Sequence, residues 1–367
     1  MRRLLLPSLA ATLVALAGCH HAPEVSPSAG RLRLTTGEID SMWNHALALY
    51  QKQDWRKAGT VLERVQLEMP VNDKRLPLAR FYLGESRLGE KSNLQAVREF
   101  RRVAELRPDD LGARFYLGLS HLRLGKWSEA LTHLEVAARH RLAKAGVYVD
   151  LALALERLGR LDDARHALEE ALVKGGGQEP RVHLSLGVLA LREGRFAEAD
   201  AHFMEARPHY GTRPPAAVWF HSASLAAALS GQIEKAITLL TEGTGAHPHA
   251  AALLNNLAVA LGTMGRSEEA LHVVEAGLAQ DPGLAPLHRN RGDLLLAQGN
   301  RDAALDAYLR AVKHHETLGP EVWARIGGLR AALGQPDEAV VAWERALQLD
   351  PTHAEVRERL AAARRER

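Results

Sequence analysis

One feature leaves few folds open to this chain: it repeats itself nine times. Alanine recurs at Ala58, Ala96, Ala130, Ala164, Ala199, Ala236, Ala270, Ala304 and Ala339, at intervals of 34 to 38 residues. Twelve residues before each stands a small residue: Ala46, Gly84, Gly118, Ala152, Gly187, Ser224, Ala258, Gly292 and Gly327. Five residues before, seven of the nine units carry glycine: Gly125, Gly159, Gly194, Gly231, Gly265, Gly299 and Gly334. Four residues after comes a large apolar residue: Leu62, Phe100, Leu134, Leu168, Phe203, Leu240, Val274, Tyr308 and Trp343. A period of this length marks a stacked array, in which each unit needs its neighbours to cover its apolar side.

The fourth unit shows what one repeat contains. Leu151, Leu153, Leu155 and Leu158 recur at helical spacing, and so do Ala164, Ala167, Leu168, Ala171 and Leu172. Gly159 lies between the two runs, where a left-handed residue ends a helix. Asp162 and Asp163 follow, suited by capping and by the helix dipole to open the second helix. Each unit is therefore a helical hairpin. Small residues let its helices approach closely, glycine turns the chain, and the large apolar residue fills the space between them. Pro70, Pro108, Pro248, Pro282 and Pro351 close five of the second helices.

This set resembles the tetratricopeptide repeat, a 34-residue helix–turn–helix. In the third unit Leu117, Gly118, Ala130, Leu134 and Ala137 carry the resemblance, with Arg114 and His121 as departures. In the ninth it rests on Trp323, Gly327, Ala339, Trp343, Ala346 and Pro351. The resemblance covers about 39–351 and implies an all-α, right-handed superhelical solenoid of about nine repeats. Gly243 and Gly277 replace a family alanine, which is expected to loosen repeats six and seven by up to about 1 kcal/mol each.

Two intervals are long. Extra residues lie around 71–76. Pro208–Pro215, rich in proline and glycine, is expected to be a joint between two sub-arrays, repeats one to five (38–211) and six to nine (212–351). Residues 352–367 form a capping helix, with Val356, Leu360 and Ala361 on one face and charge elsewhere, as a terminal unit facing water requires.

The N-terminus is a targeting segment. Arg2 and Arg3 precede an apolar run, Leu4–Ala17, too short for a permanent span. It ends in Leu16, Ala17, Gly18 and Cys19, and Cys19 is the single cysteine of the chain. This resembles the lipobox of bacterial lipoproteins. The resemblance implies a signal peptide at 1–18, cleavage between Gly18 and Cys19, and a covalent lipid on Cys19. Stable anchoring takes two or more acyl chains. In Gram-negative lipoproteins an Asp after the cysteine retains the protein at the inner membrane, so His20 points to the outer membrane, facing the periplasm. Residues 19–37, with Pro23, Pro27 and Gly30, are expected to be a flexible tether.

Formal charge is +3, with 47 basic and 44 acidic residues interspersed along the chain. No basic stripe argues for nucleic acid. No sequence signature of a nucleotide-binding loop, zinc protease or serine hydrolase is present, so an enzyme is not expected. No metal or cofactor site is expected either. His314, His315 and Glu316, and His247 with His249, are the nearest groupings, and both are read as solvated loops.

What remains is a surface. The family resemblance implies that first helices line a concave groove. Its N-terminal half is aromatic, with Trp43, Phe81, Tyr82, Phe115 and Tyr116. Some of these rings are equally candidates for packing between repeats. Asp150 and Leu153 are the groove candidates of the fourth unit. The C-terminal half offers Asn255, Asn256, Arg289, Asn290 and Arg325, suited to an extended peptide or its carboxylate. A full carboxylate clamp is missing, because Glu321 stands where a cation is wanted. The first repeats, through Tyr50, Asp54, Trp55, Ala58, Gly84, Glu85, Ser86 and Phe100, are similar to the lipoprotein subunit of the outer-membrane β-barrel assembly machine, and also to tetratricopeptide lipoproteins of pilus and polysaccharide-export systems. The function implied is a lipid-anchored scaffold that binds protein partners in the cell envelope. The alternative is a receptor for a peptide tail. The partner and the oligomeric state are left open.

Overall fold

A computed structural model describes residues 34–315 and 318–365. Cys19 and the lipobox lie outside them, as does most of the expected tether. Nineteen α-helices and two short 3-10 turns make up the described chain, which contains no strand. The first hairpins are α1 (Thr36–Gln51) with α2 (Trp55–Glu68), α3 (Leu76–Gly89) with α4 (Asn93–Leu106), and α5 (Leu111–Arg123) with α6 (Trp127–Ala138). Next come α7 (Ala145–Arg157) with α8 (Leu161–Val173), α9 (Pro180–Arg192) with α10 (Phe196–Ala206), and α11 (Ala217–Leu229) with α12 (Ile233–Ala246). The last three are α13 (Ala251–Thr263) with α14 (Ser267–Gln280), α15 (Ala285–Ala297) with α16 (Arg301–His314), and α17 (Pro320–Ala332) with α18 (Pro336–Leu349). The cap is α19 (Ala354–Arg365), which buries Val356 and Leu360. Ala361 is exposed, and Ala363 packs in its stead.

The repeat signals have direct structural causes. All seven turn glycines have φ between 70° and 83°. The two units without glycine hold the same conformation with Gln53 (φ 58°) and Lys91 (φ 61°), the two non-glycine residues of positive φ among those described. The small residue of each first helix faces the large residue of the second. A Cβ on Gly84, Gly118, Gly187 or Gly292 would lie 2.6–2.7 Å from the side chain of Phe100, Leu134, Phe203 or Tyr308 respectively, and one on Gly327 would meet Trp343. Where the small residue is Ala46, Ala152, Ser224 or Ala258, the matching position holds Leu62, Leu168, Leu240 or Val274. Aromatic rings thus sit opposite glycine, and aliphatic side chains sit mostly opposite residues that keep a Cβ.

Three expectations change. Gly243 and Gly277 have a packing role beside the expected loosening: a Cβ there would reach 2.8 Å from Phe220 of the same hairpin and 2.5 Å from Leu287 of the next, so each glycine admits a core side chain. Asp162 and Asp163 lie in the first turn of α8 but do not cap it; Arg160 holds the cap position and its Nε donates to Asp163 at 2.6 Å. The first helix begins at Thr36, two residues inside the expected tether. Thr35 and Glu38 form a reciprocal capping box there, with Thr35 N donating to Glu38 Oε2 at 2.8 Å and Glu38 N donating to Thr35 Oγ1 at 3.3 Å.

The Pro208–Pro215 connection is not a break in the core. One continuous apolar cluster takes in Ala199, Phe203 and Ala206 before it, and Trp219, Phe220 and Ala223 after it. Trp219 and Phe220 are fully buried. Lys235 Nζ donates to Asp200 at 2.6 Å, Arg207 reaches Glu242 at 2.7 Å, and the His247 ring bonds the Pro215 carbonyl at 2.7 Å through Nε2. Tyr210 of this connection packs edge-on against Trp219, 6.3 Å centroid to centroid.

Candidate interaction surface

First helices touch the next first helix in unbroken succession from α3 to α15, while second helices meet each other marginally at most among the described residues. The first helices therefore form the inner layer of the curve, and their exposed edges form its concave face.

In the N-terminal half the rings pack into one another. Tyr50 lies 4.6 Å from Tyr82, centroid to centroid, and Phe81 lies 5.4 Å from Tyr116 and 5.5 Å from Phe100. Tyr116 stacks on Phe100 at 5.3 Å, and Phe115 lies 5.2 Å from Tyr116. Glu85 organises the cluster. Tyr50 Oη donates to its Oε2 at 2.5 Å, and Tyr116 lies close enough to feel its charge. Burial, then the Glu85 carboxylate, pushes both phenols well above the usual tyrosine range. Tyr82, Phe81, Phe115 and Tyr116 are half-buried. Trp43 is not a groove residue: 8% of its surface is exposed, and it packs in the core with Ile39, Leu76 and Ala79. Its ring lies against Tyr82 of α3, 6.1 Å centroid to centroid.

In the C-terminal half the amides bond to one another across three repeats. Asn256 Nδ2 lies 3.0 Å from His221 Nδ1, Asn255 Nδ2 donates to Asn256 Oδ1 at 3.2 Å, and Asn290 Nδ2 donates to Asn255 Oδ1 at 2.9 Å. Asn290 is buried, so the rung it supplies is internal. Arg289 Nη2 lies 3.4 Å from Asn290 Oδ1, and its buried Nε has no hydrogen-bond partner. Arg325 is drawn to Asp293, which also accepts from Tyr308 Oη at 2.5 Å. The two arginines thus answer to different neighbours and do not converge. Asp150 is buried rather than facing the groove, and takes Arg181 Nη2 at 2.7 Å.

Sequence reasoning assigned no partner to Glu85, Asp293 or Asp200, because those partners lie about a full repeat away or on the opposite helix. It also missed His183, His202 and Glu205, whose ligand atoms lie together on the fifth hairpin. Of the histidines singled out, His247 bonds the Pro215 carbonyl at the start of its own repeat, and His249 bonds Gln280 at the end of the next. His314 stacks on His288 at 5.5 Å, and Glu316 lies outside the described residues.

The tetratricopeptide repeat profile matches residues 83–144, 149–212 and 223–288, and two further tetratricopeptide profiles match 285–310 and 320–363. The chain belongs to the tetratricopeptide repeat family. No curated protein sequence matches it. Among solved structures, this tetratricopeptide array is similar to PilW, described as a widely conserved type IV pilus biogenesis factor. The TM-score is 0.52 at 18% identity, covering 60% of this chain and 98% of that one. It is also similar to the Cut9–Hcn1 hetero-tetramer of APC/C, with TM-score 0.50 and 16% identity over 90% of this chain and 67% of that one. Both likenesses concern the fold. No helix among the described residues is long and apolar enough to cross a membrane.

Proposed function

We propose that this tetratricopeptide chain is a lipid-anchored scaffold that gathers protein partners in a bacterial cell envelope. The observation that carries the binding role is the unbroken inner layer from α3 to α15, with half-buried aromatic rings along its N-terminal half. Partly covered aromatic side chains set on a rigid curved surface are the usual anchors of protein recognition. The anchor rests on the sequence Leu16–Cys19 and the outer-membrane placement on His20. Tethering would raise the effective concentration of a bound partner without any new contact. No catalytic role is part of this proposal.

Two measurements test it separately. Pull-down from detergent-solubilised envelopes should recover a stable partner, and Tyr82→Ala with Phe115→Ala should lose it while far-UV circular dichroism is unchanged. Equal recovery by the variant sinks the groove. Cys19→Ser should move the protein out of the membrane fraction, and continued membrane association sinks the anchor. A second reading, a receptor for an extended peptide, is favoured by the unpartnered Nε of Arg289 beside half-exposed Asn255 and Asn256. In that case Arg289→Ala weakens binding of a peptide, and Tyr82→Ala does not.

A further inference from the structure

We propose that the fifth hairpin holds a divalent transition-metal ion of the zinc class between His183, His202 and Glu205. His183 stands on α9, while His202 and Glu205 stand one turn apart on α10. His183 Nδ1 lies 3.5 Å from His202 Nδ1 and 3.0 Å from Glu205 Oε2, and His202 Nδ1 lies 3.4 Å from that same oxygen. A tetrahedral zinc ion with nitrogen and oxygen bonds near 2.0–2.1 Å keeps its ligand atoms about 3.3–3.4 Å apart. The three atoms already form one face of such a tetrahedron.

The surroundings match a ligand set more closely than a chance contact. His183 Nε2 lies 3.0 Å from the Gly177 carbonyl oxygen, which accepts its proton. That bond leaves the Nδ1 lone pair aimed at His202 and Glu205. A ligating histidine is ordinarily held in this way, by a hydrogen bond from its other ring nitrogen. His183 Nδ1 and Glu205 Oε2 are then two acceptors 3.0 Å apart, an arrangement that calls for a cation or a proton between them. Glu198 lies 3.9 Å from His202 Nε2, placed to orient the second ring. Two imidazoles with one carboxylate favour zinc over magnesium or calcium, which take oxygen ligands. His183 is buried and Glu205 exposed, so the fourth position opens toward solvent. The ion would fasten the start of α9 to the end of α10, next to the seam that crosses Pro208–Pro215.

The test uses the full chain, purified without a histidine tag, on a background in which His20 and His21 are alanine. Co²⁺ titration should saturate at one ion per chain with the strong visible absorption of tetrahedral cobalt, and Zn²⁺ should displace it. His202→Ala should abolish the signal, and Glu205→Gln should weaken affinity at least tenfold. Both residues are less enclosed than His183, so both variants should keep the wild-type far-UV spectrum. Zn²⁺ should raise the melting temperature of the parent chain and not that of His202→Ala. Failure to bind one ion, or one-to-one binding that survives His202→Ala, overturns the proposal.

Discussion

Gly187 and Phe203 act as a single packing unit divided between two helices. The space that the missing Cβ leaves is filled by the ring, and the same holds for Gly84 with Phe100 and Gly292 with Tyr308. Gly187→Ala should cost about 1–3 kcal/mol by overpacking. Phe203→Leu should recover part of that loss in the double variant while destabilising the parent, and a chemical-denaturation cycle measures the coupling. If the two effects simply add, the pairing is not the cause. Left-handed Lys91 makes the opposite case. Lys91→Gly should raise stability by about 1 kcal/mol, since a residue with a Cβ is strained at φ 61°. The close packing was legible in the sequence, because a small residue twelve positions before the alanine and a large one four after it recur in every unit. Partners such as Glu85 for Tyr50 were not, since they belong to neighbouring units and no local rule ties them together.

Two histidines on the third hairpin give that element a pH response. His121 and His133 stack with centroids 5.7 Å apart, and neither Nδ1 has a hydrogen-bond partner. Burial lowers both, and pulls His133 down to about 4, with the charge of His121 adding to the effect. The folded hairpin therefore binds fewer protons than the unfolded chain below the ordinary histidine range. Its stabilisation is complete above about pH 6.5 and is lost as pH falls toward 4. Stability should drop by on the order of 2 kcal/mol between pH 7 and 5. The double variant His121→Asn with His133→Gln should flatten that slope in thermal melts. An unchanged slope would place the acid sensitivity elsewhere. Helix positions were readable from periodicity, but the start of α1 was missed because Thr36 and Gly37 look like tether. The Thr35–Glu38 capping box overrides their composition. Trp43 was misplaced because position within a repeat does not by itself say how far a large ring sinks into the core, here among Ile39, Leu76 and Ala79.

At the scale of the whole molecule, the proline-rich connection invited a division that the packing does not support. Composition reports where a loop is, and Phe203, Trp219 and Phe220 decide what lies beneath it. Trp219→Ala should cost about 3–5 kcal/mol. A protease site inserted after Thr212 should be cut without separating the two halves, which should co-elute in size-exclusion chromatography. Release of the halves would restore the joint. The candidate surface was partly legible: the family resemblance indicated which helices face inward, but not that the asparagines would satisfy one another.

On the proposed anchoring, a chain held at its N-terminal end and loaded through a partner in the C-terminal half of its groove would carry tension across its middle. The seam between the fifth and sixth hairpins is cross-braced by Asp200 with Lys235 and by Arg207 with Glu242, over a buried tryptophan. Such a seam passes load on instead of yielding to it. Stretching in an optical trap would then peel hairpins from the two ends inward, and the centre would be the last part to let go.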